Sequence, residues 1–452
     1  MASAPPLTGP LADQLAMKRR PITLILLTTA YFFSYMDRQI LAILQELIRK
    51  DLHLSDTQLG LLAGFAFAIF YATLGIPVAR FADRGNRVNI IAIALTLWSI
   101  MTALCGLAQN FWQLLLARIG VGVGEAGSSP PSHSIIADLY PPEKRAGAMG
   151  IYSLGVVLGT AFGTMIGGFV AHLYGWRVAM FTVGLPGVAL AILIKAIMVE
   201  PRRGLSDVQI VTEGEDRGTM PSVGDGFRAM WADHAARHLV MGVTITSLIG
   251  YGHAAFGPSF LQRSLGVSML QVASIVAPVG AVMGSLSAVG GGWLANKAAE
   301  RWGLHSQAWL VFGLKLFGLP LSFLFYASSD PWVAIPLYWF AVLLLGSYLG
   351  PTFALIQGRA PLRMRALWAA ITLLVINLVG LGLGPTLIGV ISDLLKPQFG
   401  EGSLRYAMMT FAAASPWAIW HYWRAGVLLK RGERAAQAAG PSANSPNSTV
   451  EA

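Results

Sequence analysis

From residue 22 to residue 429 the chain repeats one element, an apolar run of about 20 residues closed by a short polar turn. At 1.5 Å per residue such a run crosses the roughly 30 Å hydrocarbon core of a bilayer as a helix. Inside lipid the backbone has few other choices, because each amide must find its partner within its own segment. The pattern predicts helices over 22–48, 57–80, 88–108, 111–137, 146–172, 176–199, 238–262, 270–296, 307–328, 331–358, 366–392 and 403–429, twelve in all. The composition agrees: 55% of residues are hydrophobic and 12% charged, about half the charged share of a soluble domain. The fold class this implies is an all-α membrane protein.

A net charge of +10 would suit a nucleic-acid binder, but the basic residues sit in short turns between apolar runs. Lys18–Arg20, Arg84, Arg87, Lys144, Arg145, Arg202, Arg203, Lys297, Arg301, Arg359, Arg363, Arg365 and Lys430–Arg434 fall on one side. By the positive-inside rule that side is cytoplasmic, as are both termini. The one cysteine, Cys105, excludes an intramolecular disulfide. The first apolar run is too long, and too polar at its middle, for a cleavable signal peptide.

The longest hydrophilic connection divides the chain. The expected units are a stub over 1–20, a six-helix half over 21–199, a linker over 200–237, a second half over 238–430 and a disordered tail over 431–452. In the linker, FRAMWADHAARH has helical spacing and is expected to lie along the membrane surface. His234 and His238 are four apart, a weak metal signal on their own. The halves repeat. ARFADRGNR after the second run is echoed by GGWLANKAAER after the eighth, which pairs Asp83 with Asn296; PPEKRA is echoed by PLRMRA, and GTMIGG by GPTLIG. A parallel repeat of this kind is the plan of a rocking transporter with its site between the halves.

Of 22 acidic residues, only Asp37 and Glu125 fall deep in predicted spans. An ionisable group at that depth costs several kcal/mol unless it faces a cavity or a partner, which marks it as a functional candidate. Asp37 lies about 22 Å along the first helix and Arg118 about 10 Å along the fourth, so Asp37, Arg38 and Arg118 share a level, with Glu125 two turns deeper on the face of Arg118. Adjacent residues on a helix point about 100° apart, so Asp37 and Arg38 cannot pair side by side. One is expected to face a cavity and the other a neighbouring helix. Burial raises a carboxyl pKa and a nearby arginine lowers it, which suits proton coupling. The assigned roles are Asp37 and Glu125 for protons, and Arg38, Arg118 and His253 for substrate. His253 lies 216 residues after Asp37, at an equivalent position of the seventh helix. Lys315 reads as a lysine that snorkels to its helix end.

Gating roles are assigned to Asp83, Arg84, Arg87 and Asn296 at helix ends, as a latch that breaks during cycling. They are also assigned to Gly155, Gly159 and Gly163, spaced by four with Gly167, as a packing ridge or a hinge. RIGVGVGEAG contains a formal GxGxxG, but no strand precedes it, so its glycines serve helix packing. GSSPPS after it is expected to loosen the fourth helix. No P-loop and no HExxH occurs, so ATP-driven transport and metalloprotease chemistry have no support.

The twelve-span plan and the ADRGNR loop resemble the major facilitator superfamily over nearly all of residues 20–430. Arg118 with Gly122 matches that family's fourth-helix motif, and GTMIGG resembles its fifth-helix antiport motif with Thr164 in place of proline. YMDRQ, GVGEA and IIADLYPPEKRAGAMGIYSLGVVLGTAFG look more narrowly like the spinster-like lipid transporters, similar to proton-driven exporters of lysolipids and sphingosine-1-phosphate. That resemblance implies that Asp37, Arg38, Arg118 and Glu125 form the functional charged set. Anion:cation symporters for sugar acids share the Asp-Arg pair and GEA. The expected function is therefore proton-coupled movement of a lysophospholipid or sphingoid phosphate, with a symporter of a small organic anion as the alternative and a non-transporting sensor as the alternative of another class. The chain is not expected to be an enzyme or to carry a cofactor, the proton gradient being the driving force. A monomer in a bacterial inner membrane, in contact with lipid and not nucleic acid, is the expectation.

Overall fold

The computed structural model describes residues 10–82, 84–206 and 222–438, and among these no strand occurs. Twelve helices cross the bundle. Helix 1 is Pro10–Leu52, helix 2 Asp56–Ala82, helix 3 Arg87–Cys105, helix 4 111–139, helix 5 Pro142–Tyr174 and helix 6 Trp176–Ile197. Helix 7 is His234–Leu265, helix 8 Met269–Trp302, helix 9 His305–Ala327, helix 10 Pro331–Arg359, helix 11 365–399 and helix 12 403–438. Side-chain caps set several starts: Ser55, Asn86, Asn110, Asp233 and Asp330 each accept a hydrogen bond from an amide of the first turn, the role that short polar side chains play best.

All twelve predicted spans lie in helices, and the ends differ. Residues 10–20, expected in a stub, continue helix 1, which runs through Pro21. Residues 431–438, expected in a disordered tail, are the last turns of helix 12. Within the linker, Val223–Ala232 forms a short helix closed by a capping box at Ser222. It buries Met230 and turns Phe227 and Trp231 outward. His234 already belongs to helix 7, where Asp233 caps it. Helix 4 breaks at 126–128 before Pro130 and Pro131, as GSSPPS led us to expect, since proline suits a first turn but not a helix interior. Helices 8 and 11 each contain a π-helical stretch, Val272–Val276 and Ile376–Leu383.

The bundle has three cores. One is shared by both halves and joins helices 1 and 2 to helices 7 and 11 at the end away from the termini, the far end. The other two lie toward the termini and belong to one half each, around Trp98 and Tyr152 in the first and Trp368 and Tyr422 in the second. Hydrogen bonds follow the same division. Among the described residues, every bond between halves lies in the far portion, from Thr386 to Gly60 outward. Hydrogen bonds clasp the halves at the far end, and among the described residues none joins them toward the termini.

Helix 5 lies on helix 1 along the glycine ridge. A Cβ at Gly155 would sit 2.7 Å from the Thr28 carbonyl oxygen, and one at Gly163 would sit 2.8 Å from that of Met36. Gly159 meets the Phe32 carbonyl oxygen more closely still. In this conformation the glycines serve packing: their missing side chains let two backbones touch.

Candidate functional site

The charged pair of helix 1 splits as helical geometry requires. Asp37 turns to helix 3, is 2% exposed, and accepts a 3.0 Å hydrogen bond from Thr102 Oγ1 through Oδ2. Its Oδ1 has no hydrogen-bond partner. Arg38 turns to helix 4 instead. Its Nε and Nη2 donate to Glu125 Oε2 at 2.9 and 2.6 Å, and Ser34 Oγ donates to the same oxygen at 2.7 Å. Glu125 is 1% exposed while the Arg38 side chain keeps 17%. Seven residues at 1.5 Å put Glu125 below Arg118, and the long guanidinium of Arg38 closes that gap. Glu125 is thus the partner of Arg38, while Asp37 forms no ion pair among the described residues.

Three rings surround the Arg38 guanidinium: Tyr35, Phe67 and Tyr71, with centroids at 4.8, 4.7 and 4.8 Å. A cation over an aromatic face gains roughly 0.5–2 kcal/mol per ring, the more so when dry. Arg118 shares one of these rings, lying 5.7 Å from the Phe67 centroid. Its Nε donates a long hydrogen bond, 3.4 Å, to the Leu62 carbonyl, and no carboxylate pairs with it among the described residues. Both guanidinium groups line one cavity of about 80 Å³ at the seam of the halves, with Gln39, Tyr251 and Pro385 on its other walls. One cation is neutralised and caged; the other is buried and unneutralised. Such a pair of groups has the chemistry to hold an anion, since guanidinium presents forked donors to carboxylate or phosphate oxygens.

A second, larger cavity adjoins it. About 440 Å³ of space lies between helices 5 and 8, bounded by Val157, Thr160, Gly257, Gly280, Gly284 and Tyr338 among others. Its lining is mostly apolar and small, it shares Gln39 and Ala254 with the smaller cavity, and it includes the exposed Val157 and Ala288. His253 stands in its wall, held by Nε2 to the Met408 carbonyl at 3.0 Å. His253 therefore lies beside the crevice and away from the two arginines.

The expected gating set is scattered. Asp83 lies outside the described residues. Arg84 and Asn296 are exposed. Arg87 is fully buried and knits the first half together, pairing with Asp138 and with Glu200 at 2.6 Å and donating to the Pro201 carbonyl at 2.7 Å. In this conformation Arg87 binds elements of one half to each other and does not latch the halves. His234 and His238 do not converge on a metal: His234 meets Arg237, and His238 meets His421. Lys195 bonds Asn89 near its helix end, as a snorkelling lysine does.

Sequence reasoning missed the far-end clasp. Arg263 at the end of helix 7 donates to Glu46 Oε1 at 2.5 Å and, as a fork, to both oxygens of Asp56 at 2.8 and 2.9 Å. Asp393 of helix 11 then accepts from the backbone amides of Asp56 and Thr57 at 3.1 and 2.8 Å. A signal was present: Glu46 and Arg263 are opposite charges 217 residues apart, at equivalent ends of helices 1 and 7.

A sequence model of the Major Facilitator Superfamily matches residues 27–385. The chain belongs to that superfamily. It is a multi-pass membrane transporter, not an enzyme. A Mycolicibacterium smegmatis protein described as an MFS-type efflux pump is 33% identical over 384 residues, 84% of this chain and 86% of that one. The crystal structure of a bacterial homolog of the human lysosomal transporter Spinster, inward-facing and unoccupied, superposes with a TM-score of 0.80 at 30% identity, covering 91% of this chain and 98% of that one. An Escherichia coli protein described as a probable L-galactonate transporter is 31% identical over 169 residues, 37% of each chain.

Proposed function

We propose that this transporter moves an amphipathic anionic lipid, a lysophospholipid or sphingoid phosphate, in exchange for or together with protons. One observation carries the reading: a small chamber lined by two arginines shares two wall residues with a larger, mostly apolar crevice between helices 5 and 8, whose lining includes exposed residues. The phosphate would rest on Arg118 and the outer edge of Arg38, and the hydrocarbon tail in the crevice. An Arabidopsis thaliana relative, 24% identical over 416 residues, is described as a probable sphingolipid transporter, which supports the same substrate class.

Asp37 is the proposed proton carrier. Glu125 is ion-paired with Arg38 and bonded to Ser34, whereas Asp37 forms no ion pair among the described residues; each keeps one carboxyl oxygen without a hydrogen-bond partner there. Neutralising Asp37 changes the charge balance around Arg118 and so the hold on an anion. The basic end, where no hydrogen bond joins the halves among the described residues, is assigned to the cytoplasm, which makes this conformation open to the cytoplasm and closed at the far end. Alternating access then requires the far-end clasp to break while the termini-side portions close, each ligand shifting the balance by its differential affinity for the two states.

The test is proteoliposome transport of a fluorescent lysophosphatidate with and without an imposed pH gradient. Gradient-dependent movement in the wild type and its loss in Arg118→Gln support the reading. A second reading, symport of a sugar acid, is favoured by the L-galactonate relative and by a chamber of carboxylate size. Galactonate uptake that outcompetes lysophosphatidate would select it.

A further inference from the structure

Helix 9 carries a charge that the transport site does not use. Lys315 lies ten residues in from His305 and twelve from Ala327, about 15 Å and 18 Å from the two helix ends. That is farther than a lysine stem reaches, so snorkelling, the reading its sequence position offered, does not account for it. The side chain points into the second half and is 6% exposed. Its Nζ stands 4.6 Å from the centroid of the Tyr348 ring. Among the described residues it has no hydrogen bond and no carboxylate partner.

An unpaired ammonium in the membrane interior is costly, and such groups mark ion or substrate sites whose partner has to be named. No partner comes from the described residues, and there is room for one from outside the chain. A cavity of about 110 Å³ is lined by Lys315, Thr246, His253, Ser322 and Tyr348. That is between three and four times the space a water molecule takes in the liquid. Its polar groups are an ammonium, four hydroxyls (Ser415 the fourth) and an imidazole, rich in hydrogen-bond donors and free of acid. His253 also stands in the wall of the crevice between helices 5 and 8, so the pocket adjoins the path already described.

We propose that the Lys315 pocket is a second anion site, in the other half from Arg38 and Arg118, that takes a phosphate or carboxylate group on Lys315, Ser322 and Thr246. The site stands independently of the lipid reading, because a free oxyanion and the head group of a second lipid present the same chemistry to it.

The experiment uses the purified full chain in detergent. Inorganic phosphate and, separately, a lysophosphatidate are titrated against thermal unfolding, followed by tryptophan fluorescence. Measurements are made on the wild type, Lys315→Met, Lys315→Arg and Arg118→Gln. Lys315→Met replaces an unpaired buried charge by an apolar side chain of similar length, so it is expected to fold. If it does not, Lys315→Gln takes its place. The expected result is a wild-type stabilisation by phosphate that weakens at least tenfold in apparent affinity in Lys315→Met, is held within about threefold by Lys315→Arg, and persists in Arg118→Gln. Dependence on Lys315 for lysophosphatidate but not for phosphate would also uphold the site and assign it to a lipid head group. Stabilisation that is indifferent to Lys315, or absent in the wild type with both probes, overturns the proposal. Loss of transport in reconstituted vesicles with phosphate binding intact would count against the lipid reading alone.

Discussion

Removing Arg263 should open the far end. Its guanidinium holds Glu46 and Asp56, two carboxylates buried in the first half, by hydrogen bonds of 2.5, 2.8 and 2.9 Å. In Arg263→Met both carboxylates would share a dry seam with Arg49, 3.2 Å from Glu46, as the remaining cation, and Asp56 would lose its only ion-pair partner among the described residues. Breaking a buried pair by removing one partner costs about 3–5 kcal/mol. In the opened state water reaches both acids, so the cost falls on the clasped state alone. Asp393, through its bonds to the Asp56 and Thr57 amides, and the close approach of Gly60 to Pro385 still hold the seam. Taking the lower figure, about 3 kcal/mol, the clasped-to-open ratio falls by roughly 100-fold at 1.4 kcal/mol per decade. The assay is maleimide labelling of Gln45→Cys, a buried position that bonds Ser259 across the seam. The one native cysteine, Cys105, is buried and gives little background. Labelling should accelerate by one to two decades in the Arg263→Met background and return part of the way in Arg263→Lys. A rate within threefold of the parent would refute the idea that this ion cluster holds the halves together.

Three further outcomes follow from the same packing. Glu125→Gln keeps the shape but takes away the counter-charge of Arg38 and weakens three hydrogen bonds. Thermal unfolding in detergent should report a loss of about 2–4 kcal/mol, and Glu125→Asp should lose nearly as much because the shorter acid cannot reach both arginine nitrogens. Gly159→Val places branched carbon against the Phe32 carbonyl, and overpacking of this kind costs typically 1–3 kcal/mol; an unchanged melting temperature would mean that helices 1 and 5 do not lie as described. Phe67→Leu removes the ring that Arg38 and Arg118 share, so binding of an anionic lysolipid by equilibrium titration should weaken by about 1–2 kcal/mol, with Phe67→Tyr close to wild type.

The fold was legible because lipid leaves the backbone so little choice. Twelve apolar runs, their turns and the internal repeat sufficed to predict twelve helices in two halves. Legibility failed where a helix outlasts its apolar run, as at 10–20 and 431–438. There the sequence turns polar, at 10–20 beyond Pro21, which the helix runs through, and hydropathy cannot tell a helix leaving the membrane from one that ends. The charged set was legible as residues but not as pairs. Depth along a helix placed Asp37, Arg38, Arg118 and Glu125 near one another, and the 100° step separated Asp37 from Arg38. Reading depth at the Cα put Arg38 level with Arg118, yet its side chain spans the two-turn offset to Glu125. The cage of Tyr35, Phe67 and Tyr71 left no mark in an already apolar context. Lys315 shows the reverse case: one lysine in a helix reads as a snorkelling side chain until the packing shows which way it points.

The most direct test of the whole account is to record lysophosphatidate movement and proton flux in the same proteoliposomes, wild type against Asp37→Asn. The account predicts that an imposed pH gradient drives lipid movement in the wild type with a matching proton flux. It predicts that Asp37→Asn, which still folds and binds the lipid with an affinity fixed at its neutral-Asp37 value, loses both the proton flux and the response to the gradient. Gradient-driven lipid movement at the wild-type rate in Asp37→Asn would contradict it.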